Sequence, residues 1–148
     1  VGLSGYWQPK QSGLIPSISL GWGINATYDD DTNIGAGRVV TQSWYVGLQW
    51  PDALIKGNTF GMAVGQPTYL TSIQHKNVTP MRNADDLLAG SPKDGNYAWE
   101  WWYKYQVTDN ISVTPALFYL SAPLGQVQKV EGGSFSNFGG LVKTTFKF

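Results

Sequence analysis

The chain has 148 residues, enough for one compact domain, and its ten Lys plus Arg balance ten Asp plus Glu, so no net field attracts a nucleic acid. Charged residues make up 14%, well below the about 25% usual in soluble domains, while Trp, Tyr and Phe reach another 14%. Cysteine is absent, which excludes disulfides and thiolate metal sites. Uninterrupted apolar runs, such as residues 53–55, fall far short of the roughly 20 residues of a transmembrane helix, so any bilayer crossing must be made by strands.

Apolar and polar residues alternate in steps of two, and no window keeps helical spacing for three turns. The first predicted strand covers residues 1–8. The second, 14–27, sets Leu14, Pro16, Ile18, Leu20, Trp22, Ile24 and Ala26 against Ser17, Ser19, Gly21, Gly23, Asn25 and Thr27. In the third, 39–50, Trp44, Val46, Leu48 and Trp50 oppose Thr41, Ser43, Tyr45, Gly47 and Gln49. A fourth strand is predicted at 57–66. The clearest alternation follows at 97–108, where Tyr97, Trp99, Trp101, Tyr103, Tyr105 and Val107 face away from Ala98, Glu100, Trp102, Lys104, Gln106 and Thr108. Residues 110–121 place Ile111, Val113, Pro115, Leu117 and Tyr119 on one side. The last segment separates Phe138, Gly140, Val142, Thr144, Phe146 and Phe148 from Asn137, Gly139, Leu141, Lys143, Thr145 and Lys147. Pro16 and Pro115 are blemishes, because proline cannot donate to a ladder.

The connections alternate in length. Residues 8–13, 51–57 and 108–110 are tight turns, whereas 28–38, 67–94 and 122–134 are long. That rhythm, with strands of about 10–14 residues, fits an all-β, transmembrane antiparallel up-and-down β-barrel in the outer membrane, with its short turns in the periplasm. Polar faces rich in Ser, Thr, Asn, Gly and Lys would be costly in a dry core and are wet in a wide barrel. Aromatic residues near strand ends, among them Trp7, Trp44, Trp50, Tyr97, Trp99, Tyr119, Phe146 and Phe148, suit interfacial girdles against the lipid bilayer. Seven predicted strands is an odd number, and single-chain bacterial barrels have even counts. Together with a start at Val1 that shows neither an initiator Met nor a signal peptide, this reads as the C-terminal part of a larger barrel, its earlier strands absent. The competing reading is a soluble, aromatic-rich β module that binds carbohydrate through exposed rings.

A passive pore selects by width and by the charged groups on its wall. The expected wall residues are Glu100, Lys104, Lys143 and Lys147, on the polar faces. The segment 67–94 carries His75, Lys76, Arg82, Asp85 and Asp86, with Lys93 and Asp94 beyond them, and is expected to fold inward as a constriction or to stay outside as an exposed loop. Asp29, Asp30 and Asp31 read as a solvated turn rather than a Ca²⁺ site, which needs six to eight oxygens. One histidine and no cysteine support neither a catalytic triad nor a metal cluster, so no enzyme activity, metal or cofactor is expected.

Three stretches resemble a known family: YAWEWWYKYQVTDNISVTP at 97–115, LVKTTFKF at 141–148 and GNTFGMAVGQP at 57–67. They resemble the carbohydrate-selective-type porins, most of all the cyanobacterial branch described as iron-uptake or S-layer-homology-domain porins. The resemblance covers most of the chain and is most specific in its last third. It implies a barrel of about sixteen strands, a homotrimer, and small ions, iron species among them, or sugars as cargo. It also implies an N-terminal S-layer homology domain, no part of which is in this sequence. Phe146 and Phe148, alternating at the end of an amphipathic strand, are similar to the signal read by the barrel-assembly machinery.

Overall fold

The computed structural model describes residues 1–11, 13–28, 36–75, 96–123 and 135–148, the side chains at 36, 37 and 73–75 excepted. Seven strands follow one another: β1 Gly2–Trp7, β2 Ser17–Tyr28, β3 Ala36–Pro51, β4 Thr59–His75, β5 Ala98–Thr108, β6 Ile111–Ser121 and β7 Ser136–Phe146. Each pairs antiparallel with its neighbours in sequence, giving one seven-stranded up-and-down sheet in the order β1 to β7. Among the described residues no second sheet covers either face, and the one buried apolar side chain is Ala116. A sandwich needs two facing sheets to make its core, and the described residues form one.

The strands agree with the alternation except where proline or a bulge interrupts it. β2 begins at Ser17, leaving Leu14 and Pro16 in the preceding turn, where the Leu14 carbonyl accepts a hydrogen bond from Trp50 Nε1 at 3.0 Å. β4 does not stop at Gln66 but continues to His75. Pro67 and Thr68 together oppose the single residue Ser43, and Thr71 is a second insertion opposite the Val40–Thr41 step. Each bulge resets which face a side chain takes and so hides the strand from a period-two reading. The bulged backbone is satisfied by side chains. Asn96 Nδ2 donates to the carbonyls of Pro67 and Thr68 at 3.4 and 3.3 Å, and Thr71 Oγ1 donates to the Val40 carbonyl at 3.0 Å. Pro115 lies in the middle of β6, paired with Val142 of β7. On its other side the β5–β6 pairing passes from Trp102–Ala116 directly to Tyr105–Val113, skipping the positions opposite a residue that has no N–H.

The turn between β3 and β4 places Asp52 (φ 58°), Leu54 (φ 64°) and Gly57 (φ 89°) in the left-handed region. Gly57 N donates to Asp52 Oδ1 at 2.8 Å. Asn58, 1% exposed, joins this turn to the wall: Nδ2 donates to Tyr103 Oη, and Oδ1 accepts from Gln106 N, both at 2.9 Å. The Tyr103 hydroxyl in turn donates to the Ala53 carbonyl at 3.0 Å.

Register sets the tilt. Trp7 lies level with Trp101 through Ile18, Leu48 and Met62; Thr59 pairs with Lys104; β5 turns only after Thr108. The short turns therefore step along the strand direction from the level of Trp101 to 104 to 108. At ~3.3 Å per residue and ~4.8 Å between strands, that stagger sets a tilt of roughly 45°. The 11-residue strands β5, β6 and β7 then rise by roughly 25 Å, the height of the apolar band of an outer-membrane barrel.

Candidate functional site

Residues paired across strands share a face, so the register sorts the whole sheet into two surfaces. One carries Trp7, Ile18, Leu20, Trp22, Trp44, Val46, Leu48, Trp50, Phe60, Met62, Val64, Trp99, Trp101, Tyr103, Tyr105, Leu117, Tyr119, Phe138 and Phe146. The other carries Ser4, Ser17, Ser19, Gly21, Tyr45, Gly47, Gln49, Thr59, Gly61, Ala63, Glu100, Trp102, Thr114, Phe118, Lys143 and Thr145. A hollow of about 720 Å³ is lined mainly by the second surface, with Ser4, Gly21, Ser43, Tyr45, Glu100 and Phe118, but also by Leu3, Trp22, Trp44 and Trp99 of the first, and on this balance we take the second surface as the concave one.

The convex surface is held by ring contacts. Trp99 and Trp101 stack with centroids 6.1 Å apart, Trp50 meets Phe60 at 5.6 Å, and Trp44 meets Tyr97 edge-on at 6.4 Å. Two of its polar side chains, Gln42 and Gln66, are partnered. Trp22 Nε1 donates to Gln42 Oε1 at 3.2 Å, Trp44 Nε1 to Gln66 Oε1 at 3.3 Å, and Gln66 Nε2 to Asn96 Oδ1 at 3.2 Å. A polar group on an apolar face is tolerable when partnered in this way.

On the concave surface Glu100 stands between Ala63 and Phe118, and Lys104 is paired with Thr59. Lys143 pairs with Thr114, which the register sets beside Lys104, so the two lysines are two strand spacings apart, about 10 Å along the sheet. No described residue forms a salt bridge with Glu100, Lys104 or Lys143, and Glu100 lines the hollow. Lys147 lies past the end of β7, its backbone bonded to Asn110 at 2.9 and 2.8 Å, and so sits at the short-turn rim rather than on the wall. His75 is the last residue of β4. The segment expected at 67–94 thus begins nine residues later, because 67–75 are strand; Lys76, Arg82, Asp85 and Asp86, like Asp29, Asp30 and Asp31, lie outside the described residues. Phe146 closes β7 on the convex face opposite Ile111, and Phe148 is fully exposed beyond it.

Rings on the concave face are the feature that alternation did not single out. Trp102 lies across Gly61, Tyr45 across Gly21, and Phe118 across Gly139: a Cβ at any of these glycines would run into the ring. Each glycine is the direct cross-strand partner of its aromatic residue. The rings are therefore laid down on bare backbone instead of projecting into the hollow. A large residue paired with a glycine far away in sequence is the signal, and it becomes visible only once the register is known.

A tilted antiparallel meander, aromatic and apolar on its convex side, polar and charged on its concave side, is wall of a β-barrel membrane protein. No solved structure matches the chain. Residues 2–148 match the model of the carbohydrate-selective porins of the OprB family, and the chain belongs to that family. Two cyanobacterial proteins, both described as uncharacterised, are similar to it. One, from Nostoc sp., is 31% identical over 135 residues and the other, from Synechocystis sp., 27% over 140. The alignments cover 90% and 93% of this chain but only 20% and 21% of those proteins, so the chain spans about one fifth of the relatives it matches.

Proposed function

We propose that the chain is part of the wall of a water-filled outer-membrane channel through which small hydrophilic solutes pass down their gradients. The observation that carries this reading is the division of one uncovered sheet into an aromatic convex face and a concave face bearing Glu100, Lys104 and Lys143. A bilayer supplies the apolar phase that the convex side lacks within the chain, and water supplies the polar phase on the other. Family membership supports sugars as cargo; the two lysines give the wall a local preference for anions. In the same reading the seven strands belong to a barrel of about sixteen, the full-length protein is a homotrimer, and Phe146 and Phe148 present the terminus to the assembly machinery. Iron species are the narrower reading of the cargo. No bond is made or broken in this activity, which is transport rather than catalysis.

The test is planar-bilayer recording on the full-length protein with potassium chloride, followed by sugar gradients. Stepwise conductance with measurable sugar flux is the expected result. A protein that inserts and conducts nothing would sink the proposal.

A further inference from the structure

Two neighbouring short turns carry apolar side chains where water would favour polar ones. The β1–β2 turn places Leu14, 96% exposed, beside Ile15, and the β3–β4 turn places Leu54, 94% exposed, beside Ile55. Leu54 is also held at φ 64°, a left-handed conformation that suits Gly, Asn or Asp and is costly for a leucine. The other left-handed positions of that turn, Asp52 and Gly57, follow the rule. Hydration and backbone preference both argue against leucine at position 54, and at that exposure packing within the chain does not argue for it.

The two turns are tied to the convex face. Trp50 Nε1 donates to the Leu14 carbonyl and Tyr103 Oη to the Ala53 carbonyl, each at 3.0 Å, so a ring of that face holds each turn. Trp50, Phe60 and Tyr103 are cross-strand partners in one row over β3, β4 and β5. Between this row and the turns lies another hollow, of about 700 Å³, lined by Leu14, Trp50, Ala53, Leu54, Phe60 and Tyr103 among others. Its size falls within the about 300–1,000 Å³ of sites that take a small organic molecule.

The lining decides what fits. The Trp50 N–H and the Tyr103 hydroxyl proton are committed to turn carbonyls, and the Tyr103 oxygen accepts from Asn58 Nδ2. Asp52 brings only acceptors, one of them bonded to the Gly57 amide. No lining side chain has a donor to spare for a hydrophilic solute or for the carbonyls of a peptide, whose polar groups would be stranded there. A hydrocarbon chain makes no such demand. The hollow is continuous with the convex face, the surface assigned to lipid, and sits at its short-turn border, where headgroups begin. Lys10 and Lys56, one on each turn, are exposed, and no salt bridge joins either to a described residue; their charge complements a phosphate.

We infer that this hollow seats one phospholipid of the periplasmic leaflet, with an acyl chain against Trp50, Phe60, Tyr103 and Leu54 and its phosphate met by the lysines of the two turns. The inference rests on the membrane reading above and adds a fixed lipid to a surface that elsewhere meets a fluid one.

The experiment uses the full-length protein, purified in detergent and titrated with palmitoyl-oleoyl phosphatidylglycerol, with native mass spectrometry counting the lipids retained. One tightly held phospholipid per chain is expected. Leu54→Asn relaxes the left-handed backbone, so thermal stability in detergent should hold or rise, while the half-saturating lipid concentration should increase about tenfold as one leucine loses its apolar partner. Leu14→Asn should weaken retention alike, and Lys10→Gln combined with Lys56→Gln about threefold. Leu141→Asn, on the opposite face, should change nothing. Unchanged retention in both leucine variants, or no retained lipid in a wild type that inserts and conducts, overturns the site. A lysine pair variant that binds as the wild type does overturns the phosphate contact. If the hollow instead receives an apolar segment of a second copy, the leucine variants change the oligomer mass and not the lipid count, and the lipid assignment falls. Failure to insert into vesicles overturns the membrane reading on which the site stands.

Discussion

Asn58 offers the most direct test of how the wall is tied to its short turns. Its side chain is 1% exposed, donates to Tyr103 Oη and accepts from Gln106 N, each at 2.9 Å. Asn58→Ala removes both bonds, worth about 1 kcal/mol each, and leaves the Gln106 amide unpaired in a half-buried site for about 1 kcal/mol more. The expected loss is therefore about 3 kcal/mol of unfolding free energy. Tyr103→Phe breaks the same Asn58 bond and also the bond to the Ala53 carbonyl, and is expected to cost about 2 kcal/mol. Because the two variants share one bond, the double variant should cost about 1 kcal/mol less than their sum. Urea unfolding of the full-length protein in lipid vesicles, followed by tryptophan fluorescence, measures all three. A loss below about 1 kcal/mol for Asn58→Ala, or strict additivity, would refute the assigned network.

Three further outcomes are expected. Gly61→Ala forces the Trp102 indole off the wall and should cost about 1–3 kcal/mol; adding Trp102→Ala to it should recover most of that loss, as read by the same unfolding experiment. Leu117→Arg on the convex face should destabilise by about 2–4 kcal/mol in a bilayer, whereas Leu141→Arg on the concave face should be nearly neutral; equal effects would mean that the two faces have been assigned wrongly. Replacing Lys104 and Lys143 together by Glu should move the reversal potential in a salt gradient toward cation selectivity, and the shift should shrink as ionic strength rises.

Most of the architecture was legible because lipid and water impose opposite demands on successive residues of one strand. In β5 that contrast is nearly complete, with Trp99, Trp101 and Tyr103 on one side and Glu100 and Lys104 on the other. Seven strands, their order and the alternation of short and long connections followed from the same rule. What escaped was local. Pro67 reads as a strand terminator, yet it occupies a bulge whose carbonyl Asn96 satisfies, and the extra residues there and at Thr71 break the period that identifies β4. Leu14 looks like one more rung of β2 but belongs to the turn that caps Trp50. Glu100, Lys104 and Lys143 were named from their faces alone, whereas Lys147 falls past the strand, where parity no longer fixes direction. Alternation placed Tyr45 and Trp102 on polar faces and did not single out Phe118, since the glycines that make room for these rings are distant in sequence and adjacent only across the ladder.

A sheet whose one buried apolar side chain, among the described residues, is Ala116 has no interior of its own. Its hydrophobic counterpart is a liquid, and a liquid has no fixed shape to violate. When a side chain on the convex face is shortened, acyl chains flow into the gap, so only the transfer free energy of the lost methylenes, about 0.8 kcal/mol each, is forfeited, without the void that a rigid interior would keep. Evolution can therefore exchange one greasy residue for another along that surface almost freely. On the opposite face that freedom stops at Gly21, Gly61 and Gly139, where a ring already occupies the space a side chain would need.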